Sequence, residues 1–185
     1  SFVVCRHLTN KNYYRSKILK KDEEKAKLKV IYIDHGIEAE VQMDQVQLIE
    51  DQFLTLSSQA IHCKIKGVEA WPSGFEHQLM LKNVIADFIE MDPKDKAYFV
   101  KLFDNETQDV LIGDECLNNS KIEKSVSKSI QDVKPILNFK QTIIKLVYLP
   151  NPKSFWVRLD SMNNMFEELE EELQTCYNRT EDNVK

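Results

Sequence analysis

The first fifty or so residues consist of short runs in which apolar and polar positions alternate with the period of about two that is typical of strands. Each run is rich in β-branched and aromatic residues, and polar turns separate them. The runs are Phe2–Cys5, Tyr13–Leu19, Leu28–Ile33 and Val46–Ile49. Gly36 follows the third run in the sequence Asp34-His35-Gly36, where a glycine permits the positive φ of a tight reversal. The pattern predicts a small, strongly bent antiparallel barrel.

A second layer of mixed elements is predicted after this barrel. An apolar strand at Ala60–Ile65 leads to Trp71-Pro72, and strands resume at Ala97–Phe103 and Asp109–Ile112. Between them the spacing of Ser73 and Glu76 is that of a capping box, which predicts a helix. The apolar stripe of this helix would be Leu79, Val84, Ile85 and Phe88.

The last third of the chain opens with a stretch rich in Ser, Lys and Asn, residues 118–132, that is typical of a linker or a weak surface helix. The runs Thr142–Leu149 and Ser154–Leu159 then alternate like a hairpin across Pro150-Asn151-Pro152. An acidic helix follows, with Asp160 or Ser161 as the predicted N-cap. Its apolar face is Met162, Phe166, Leu169, Leu173 and Cys176, and its glutamates at 167, 168, 170, 171 and 172 are expected in solvent.

Composition narrows the classes of function. The chain carries 25 Lys and Arg against 30 Asp and Glu, a net charge of −5, which argues against holding nucleic acid by neutralising phosphates and favours cationic partners. The four cysteines and four histidines show no zinc spacing, so neither a metal nor a cofactor is expected. No apolar run approaches the length of about 20 residues that spans a bilayer, and no signal peptide opens the chain. We therefore expect a globular protein of a reducing, cytoplasmic compartment with no membrane partner.

Several motifs resemble one family. Tyr13-Tyr14-Arg15-Ser16-Lys17-Ile18 is similar to the WYRAxV strand of extended Tudor domains, and residues 30–36, VIYIDHG, resemble their VFYxDYGN strand and turn. Residues 53–63 resemble the FxxLPxQAxxC passage out of the Tudor barrel. Leu102-Phe103-Asp104 with residues 109–112 resembles the closing hairpin of the nuclease-like half.

The resemblance implies a mainly β fold with some α-helix: a Tudor, SH3-like β-barrel packed with an OB-fold, staphylococcal-nuclease-like subdomain and a long connecting helix. The implied organisation is a Tudor barrel at 1–52, the second half of the nuclease-like unit at 53–117, a linker at 118–139 and the first half of such a unit at 140–178. In the family this first half precedes the barrel. Residues 140–178 therefore either begin a second repeat or fill the vacant first half of this fold, as a circular permutation or an exchange between chains would. In either case we expect Leu169 and Leu173 to pack against a nuclease-like sheet.

The resemblance also implies a site. In the family an aromatic cage binds a methylated arginine, and an asparagine accepts a hydrogen bond from the guanidinium. The four cage positions fall on Leu8, Tyr14, Tyr32 and His35, and the asparagine position falls on Ile37. Only two of these side chains are full aromatic walls, and the polar anchor is replaced by an aliphatic one, so the cage is degraded. The alternative is that Tyr14 and Tyr32 only pack the barrel.

The partner implied by the family is the Arg/Gly-rich tail of a Piwi, Argonaute-family protein in germline ribonucleoprotein granules of the cytoplasm. Because the cage is degraded, we expect binding with weak or no dependence on arginine methylation. An unmodified arginine would pair instead with an acidic rim, Glu38, Glu40 or Asp44. We also expect Arg15 and Asp34 to form an internal ion pair that holds strand to turn.

Two other classes of function remain open. An OB-like module could present Tyr98, Phe99, Phe155 or Trp156 to RNA bases, although the acidic charge makes RNA an unfavourable partner, and Trp71 and Trp156 are interpreted as core residues. An architectural repeat would pack on its neighbours or self-associate. Catalysis is not expected: nuclease chemistry needs clustered carboxylates and arginines, and the relevant segments offer only Asp104, Asp109, Asp160 and Arg158.

Overall fold

The computed structural model describes residues 1–71, 73–75, 84–107, 109–112 and 141–182. These residues form two β-sheets and one long helix, and the strands account for most of the regular structure. The mainly β fold class that the resemblance implied is confirmed. The predicted linker at 118–139, Cys116 and the centre of the predicted helix, 76–83, lie outside the described residues.

The first sheet is a strongly bent antiparallel barrel of five strands. Its strands are β1 (Phe2–Arg6), β2 (Tyr13–Asp22), β3 (Lys27–Tyr32), β4 (Ile37–Gln42) and β5 (Val46–Leu48). They lie in the order β4-β3-β2-β1-β5. Alternate residues of β1 and β3, among them Val3, Cys5 and Val30, point inward and are buried with Val41. Strand β4 was not among the predicted runs, although Ile37, Ala39 and Val41 alternate with polar residues.

The second sheet closes on itself. Its strands are β6 (Ile61–Lys64), β7 (Val84–Asp92), β8 (Ala97–Asp104), β9 (Val110–Ile112), β10 (Thr142–Asn151) and β11 (Ser154–Leu159). The order is β6-β11-β10-β7-β8-β9, and a parallel pairing of β6 with β8 joins Cys63 to Tyr98. Five strands therefore form a ring, which is the OB-type barrel. Phe155, Leu102 and Ile144 are buried in its centre.

The trailing hairpin completes this second barrel within the same chain. Strand β10 pairs with β7 through Ile144 and Val84, and β11 pairs with β6 through Phe155 and Cys63. The hairpin itself is confirmed. The single chain thus contains both halves of the OB-type barrel, with the half that follows residue 140 inserted between β6 and β7.

The predicted helix between residues 73 and 88 is wrong at its C-terminal end. Val84, Ile85 and Phe88, assigned to its apolar stripe, belong to strand β7. This strand lies between β8 and β10, and Val84, Ile85 and Ala86 are buried one after another. A strand covered on both faces has a continuous apolar run, which the stripe of a helix resembles in a short window.

Helix α1 (Asn163–Asp182) packs on the first barrel. Its apolar residues Leu173 and Tyr177 are buried against Val4, Tyr13 and Phe53. The prediction that Leu173 packs on the nuclease-like sheet is therefore wrong, because the outer face of β1 and β2 offers an apolar surface that this helix covers. The amide of Gln174 fixes the register, since it donates to Tyr13 O and accepts from Tyr13 N, both at 2.7 Å.

The start of the helix also differs from the prediction. Asp160 and Ser161, predicted as N-caps, belong to a 3-10 turn, Asp160–Met162, and α1 begins at Asn163. The carboxylate of Asp160 accepts a hydrogen bond from the side chain of Asn163 at 2.8 Å. Asp160 therefore ties the turn to the first helical residue.

Candidate functional site

Four rings meet at one end of the first barrel. Tyr14 is their centre: its ring centroid lies 5.1 Å from that of Tyr32, 5.0 Å from that of His35 and 6.1 Å from that of His7. His7 and Tyr32 are also 6.1 Å apart. We call His7, Tyr14, Tyr32 and His35 the ring cluster.

Strand register and a tight loop bring these rings together. Tyr14 and Tyr32 lie on adjacent strands, where Ser16 is the partner of Tyr32. His7 begins a loop in which its N–H donates to Asn12 O at 2.8 Å and its carbonyl accepts from Lys11 N at 3.0 Å. The side chain of Asn10 in the same loop donates to Tyr14 Oη at 2.7 Å. The loop therefore holds one wall of the cluster and orients another.

The structure brings together three of the five predicted cage positions. Tyr14, Tyr32 and His35 are in the cluster, whereas the side chain of Leu8 is 62% exposed. Ile37 pairs with Tyr32 across β3 and β4 and packs against the barrel core. His7 was missed, although it directly precedes Leu8 and is an aromatic residue at the end of β1. Its buried Nδ1 has no hydrogen-bond partner among the described residues.

The predicted acidic rim is divided between two places. Glu38 and Glu40 pair with Lys29 and Lys27 at 2.5 and 3.5 Å. Both alternate along β4 with Ile37, so they lie on the opposite face of the sheet from the ring cluster. Asp44 instead lines a depression of about 190 Å³ whose other residues are Arg6, His7, Leu8, Lys11, Gln45 and Gln47.

The predicted pair between Arg15 and Asp34 is confirmed as a structural element. Arg15 is 1% exposed and forms a bidentate pair, Nε to Oδ2 at 2.8 Å and Nη2 to Oδ1 at 2.6 Å. Its remaining N–H groups donate to the carbonyls of Phe53, Leu56 and Ser57. Asp34 also accepts from Gln59 N at 3.0 Å. The pair therefore holds the turn beside His35 and the chain leaving the barrel in one fixed arrangement.

The ring cluster also contacts helix α1, which follows strand β11 of the second barrel in sequence. His35 Nε2 lies 3.3 Å from Glu170 Oε1, and its ring lies 5.8 Å from that of Phe166. The guanidinium of Arg158 stacks on Phe166 at 3.8 Å. Burial lowers the pKa of Arg158, and the negative charge of Glu170 opposes that shift. The cluster is thus continuous with a helix that lies far away in the sequence.

The two barrels meet at a very close contact beside the cluster. Gly36 has a φ of +71°, and a β-carbon there would lie 2.1 Å from Cγ of Trp156. Only glycine fits under this indole. On its other side Trp156 stacks on His62, with centroids 4.5 Å apart. Trp156 is therefore a packing residue of the interface, as predicted.

Several groups required by the RNA-binding and nuclease alternatives are buried or covered among the described residues. Of the rings assigned to RNA stacking, Phe155 is fully buried, Trp156 is covered as above, and Lys64 lies over Phe99. Asp104 is buried and accepts hydrogen bonds from the backbone of its own turn. In the part of the chain that the structure describes, no three His, Cys, Asp or Glu side chains are placed to hold a metal.

Comparisons with known proteins agree with this architecture. The Tudor domain family model matches residues 1–67. Tudor domain-containing protein 1 of Danio rerio is 30% identical over 109 residues, which is 55% of this chain and 9% of that protein. The extended Tudor domain of mouse TDRD1 in complex with a dimethylarginine-containing MILI peptide is similar at 22% identity, a TM-score of 0.51 and coverage of 60% and 59% of the two chains. That of Drosophila melanogaster Papi, in complex with a Piwi N-terminal peptide, has 18% identity, a TM-score of 0.51 and coverage of 61% and 68%.

Residues 1–67 are therefore similar to Tudor domains, and the chain has the fold of extended Tudor domains. Tudor and extended Tudor domains are non-catalytic binding modules, which agrees with the prediction that this unit is not an enzyme. The chain spans less than a tenth of the length of the curated relative it matches. None of the helices within the described residues is both long and apolar enough to cross a membrane.

Proposed function

We propose that the chain binds an arginine side chain of a cationic peptide at the ring cluster. The observation that supports this most directly is the convergence of Tyr14, Tyr32, His7 and His35 at one end of the Tudor barrel. A ring face attracts a cation within about 6 Å by roughly 0.5 to 2 kcal/mol, depending on how much water is removed. The net charge of −5 favours a cationic ligand.

We propose further that binding depends weakly on arginine methylation. The centroid distances of 5.0 to 6.1 Å are those of rings in direct contact, so a guanidinium enclosed between two faces would have to separate them. Leu8 is turned to solvent and Ile37 offers no hydrogen bond, so the walls that reward bulky methyl groups are incomplete. An unmodified arginine can stack on the outer face of Tyr14 and keep all of its donors.

The partner class we propose is the arginine-rich tail of a Piwi-family protein. The extended Tudor domains of mouse TDRD1 and Drosophila Papi are complexed with MILI and Piwi peptides, and this chain shares their fold. The glutamates exposed along α1 beside the cluster suit the positive charge of such a tail. A place in germline ribonucleoprotein granules of the cytoplasm belongs to the same proposal.

The test is calorimetry with matched Arg/Gly peptides that differ only in symmetric dimethylation. We expect both to bind, with affinities within tenfold of each other, and Tyr14→Leu to weaken both by tenfold or more, about 1.4 kcal/mol. Leu19→Ala, an exposed apolar truncation on the same strand, is the matched control and should leave both affinities unchanged.

Each outcome bears on a separate part of the proposal. A preference of tenfold or more for the dimethylated peptide would overturn weak methylation dependence. Binding that is unaffected by Tyr14→Leu would remove the ring cluster as the site, and tighter binding of single-stranded RNA than of either peptide would overturn the function itself. The double change Ile37→Asn with His35→Tyr should shift preference toward the dimethylated peptide.

A further inference from the structure

The ring cluster lacks a hydrogen-bond acceptor on its own barrel at the position of Ile37. A carboxylate of helix α1, more than a hundred residues along the chain, contacts the cluster: Glu170 Oε1 lies 3.3 Å from Nε2 of His35. We infer that Glu170 is the acceptor for the N–H groups of the bound arginine, so that recognition is shared between the Tudor barrel and the helix. This inference rests on the proposed function.

Geometry places Glu170 one imidazole away from the centre of the cluster. The ring of His35 stands edge-on to Tyr14 at 89°, with centroids 5.0 Å apart, and its Nε2 is directed at the carboxylate. A guanidinium stacked on Tyr14 next to His35 would therefore have Glu170 at its edge, where its N–H groups point. The side chain of Glu170 is 34% exposed, so a ligand can reach it without unfolding the helix.

The approach to Glu170 is open. A depression of about 610 Å³ lies between the loop at residues 7–12 and helix α1, and Glu170 is on its wall. Asn12 and Gln174 lie on that wall too, and Asn12 offers an amide group to a peptide backbone, whereas the amide of Gln174 is bonded to Tyr13. The rest of the lining is Asn164, Glu167, Glu168, Glu171 and Thr175. Its charge is negative, which fits the flanking residues of a cationic peptide.

The positive charges nearest to Glu170 leave its carboxylate available. His35 contacts Oε1 alone. Arg158 interacts electrostatically with Glu170 and Glu167, but its guanidinium is stacked on Phe166, and its buried Nε and Nη1 have no hydrogen-bond partner among the described residues. Arg158 therefore stabilises the negative charge of Glu170 without occupying its lone pairs.

A carboxylate anchor has a defined consequence for specificity. Arginine presents a planar fork of five N–H groups that matches a carboxylate, whereas lysine is a compact point charge. Symmetric dimethylation replaces one N–H on each terminal nitrogen by a methyl group. It therefore removes donors from which Glu170 would accept hydrogen bonds. Glu170 therefore favours arginine over lysine and gives no advantage to dimethylation.

The test compares Glu170→Gln with Glu172→Gln by calorimetry on an unmethylated Arg/Gly peptide. Both variants remove one negative charge from α1, but Glu172 lines a different depression with Gln52 and Arg179. We expect Glu170→Gln to weaken binding at least tenfold and Glu172→Gln to change it less than twofold. Replacing the central arginine by lysine should cost less affinity in Glu170→Gln than in the unchanged protein, because lysine keeps the cation for the rings but cannot form the forked pair with Glu170.

The outcomes separate this inference from the proposed function. If Glu170→Gln binds within twofold of the unchanged protein while Tyr14→Leu loses binding, the helix anchor is wrong and the ring cluster stands. If neither variant affects binding, the proposed site is wrong as a whole. Equal losses in Glu170→Gln and Glu172→Gln would reduce the effect to general charge and overturn the inference. Unfolding midpoints of both variants, measured in parallel, identify any loss that is due to unfolding.

Discussion

The buried pair between Arg15 and Asp34 makes the sharpest stability prediction. Asp34 accepts three hydrogen bonds, two from Arg15 and one from Gln59 N, whereas asparagine has a single acceptor oxygen and would turn an amide donor toward Arg15. Asp34→Asn therefore leaves a guanidinium that is 1% exposed without its counter-charge. Removing one partner of such a buried pair costs about 3 to 5 kcal/mol.

Urea unfolding measures this loss, with tryptophan fluorescence as the probe, since one of the two indoles, that of Trp156, packs on the adjacent turn. At a slope of about 1 to 3 kcal/mol per molar, the midpoint should fall by about 1 M or more. The control is Glu38→Gln, since Glu38 pairs with Lys29 at 2.5 Å but both side chains are about half exposed. Exposed pairs contribute about 1 kcal/mol or less. If the two variants differ by less than about 1 kcal/mol, the buried pair does not hold the barrel exit as described.

Three further predictions concern packing, anchoring and pH. Gly36→Ala should lower the melting temperature by several degrees more than the control Gly74→Ala. Both glycines have φ above +70°, but only Gly36 lies under an indole. Equal effects of the two changes would show that the indole can move. Tyr177→Phe should lower the free energy of unfolding in urea by about 1 to 2 kcal/mol. The lost hydroxyl donates to one backbone carbonyl at 2.8 Å and accepts from a backbone N–H at 3.1 Å. A loss no greater than that of Tyr148→Phe, a change at an exposed tyrosine, would contradict this role. Burial raises the pKa of Tyr32 to about 12, so the stability that its neutral hydroxyl contributes is present below its ordinary pKa of about 10 and is lost as the pH rises from 10 to 12. The urea midpoint of Tyr32→Phe should therefore fall less over this pH range than that of the unchanged protein. An identical fall in both proteins would refute this role of Tyr32.

Much of the fold could be predicted because its strands are local patterns. Two-sided burial explains the failures: Val84 and Ile85 lie in a strand covered on both faces, and such a run has no alternation to reveal it. Strand β4 did alternate, and its omission is an error of interpretation rather than a limit of the sequence. The hairpin after residue 140 could be predicted from its alternation, but the surface that the following helix covers depends on the shape of the first barrel.

The residues of the candidate site likewise divide into those that local sequence motifs indicate and those that only tertiary contacts bring in. Tyr14, Tyr32 and His35 were implied by the family resemblance of two strand motifs, and the register of those strands makes the side chains neighbours. The participation of His7 depends on the loop at residues 7–12, which shifts the inward position by one residue from Leu8. Glu170 could not be found from its own helix, where it is one of six glutamates, because its contact with His35 is tertiary.

The two hydrogen bonds between the Gln174 amide and the Tyr13 backbone affect the order in which the protein folds. It joins residues 161 positions apart, and Tyr177 reaches Glu50 across 127 positions, whereas the strands of the first barrel from β1 to β4 pair with immediate neighbours in sequence. Long-range contacts form late, because the entropy of closing a loop is lost before the contact repays it. The first barrel can therefore acquire its register early, with the outer faces of Val4 and Tyr13 still bare. Until the C-terminal helix arrives, that apolar surface is the part of the molecule most exposed to misassociation and to chaperones.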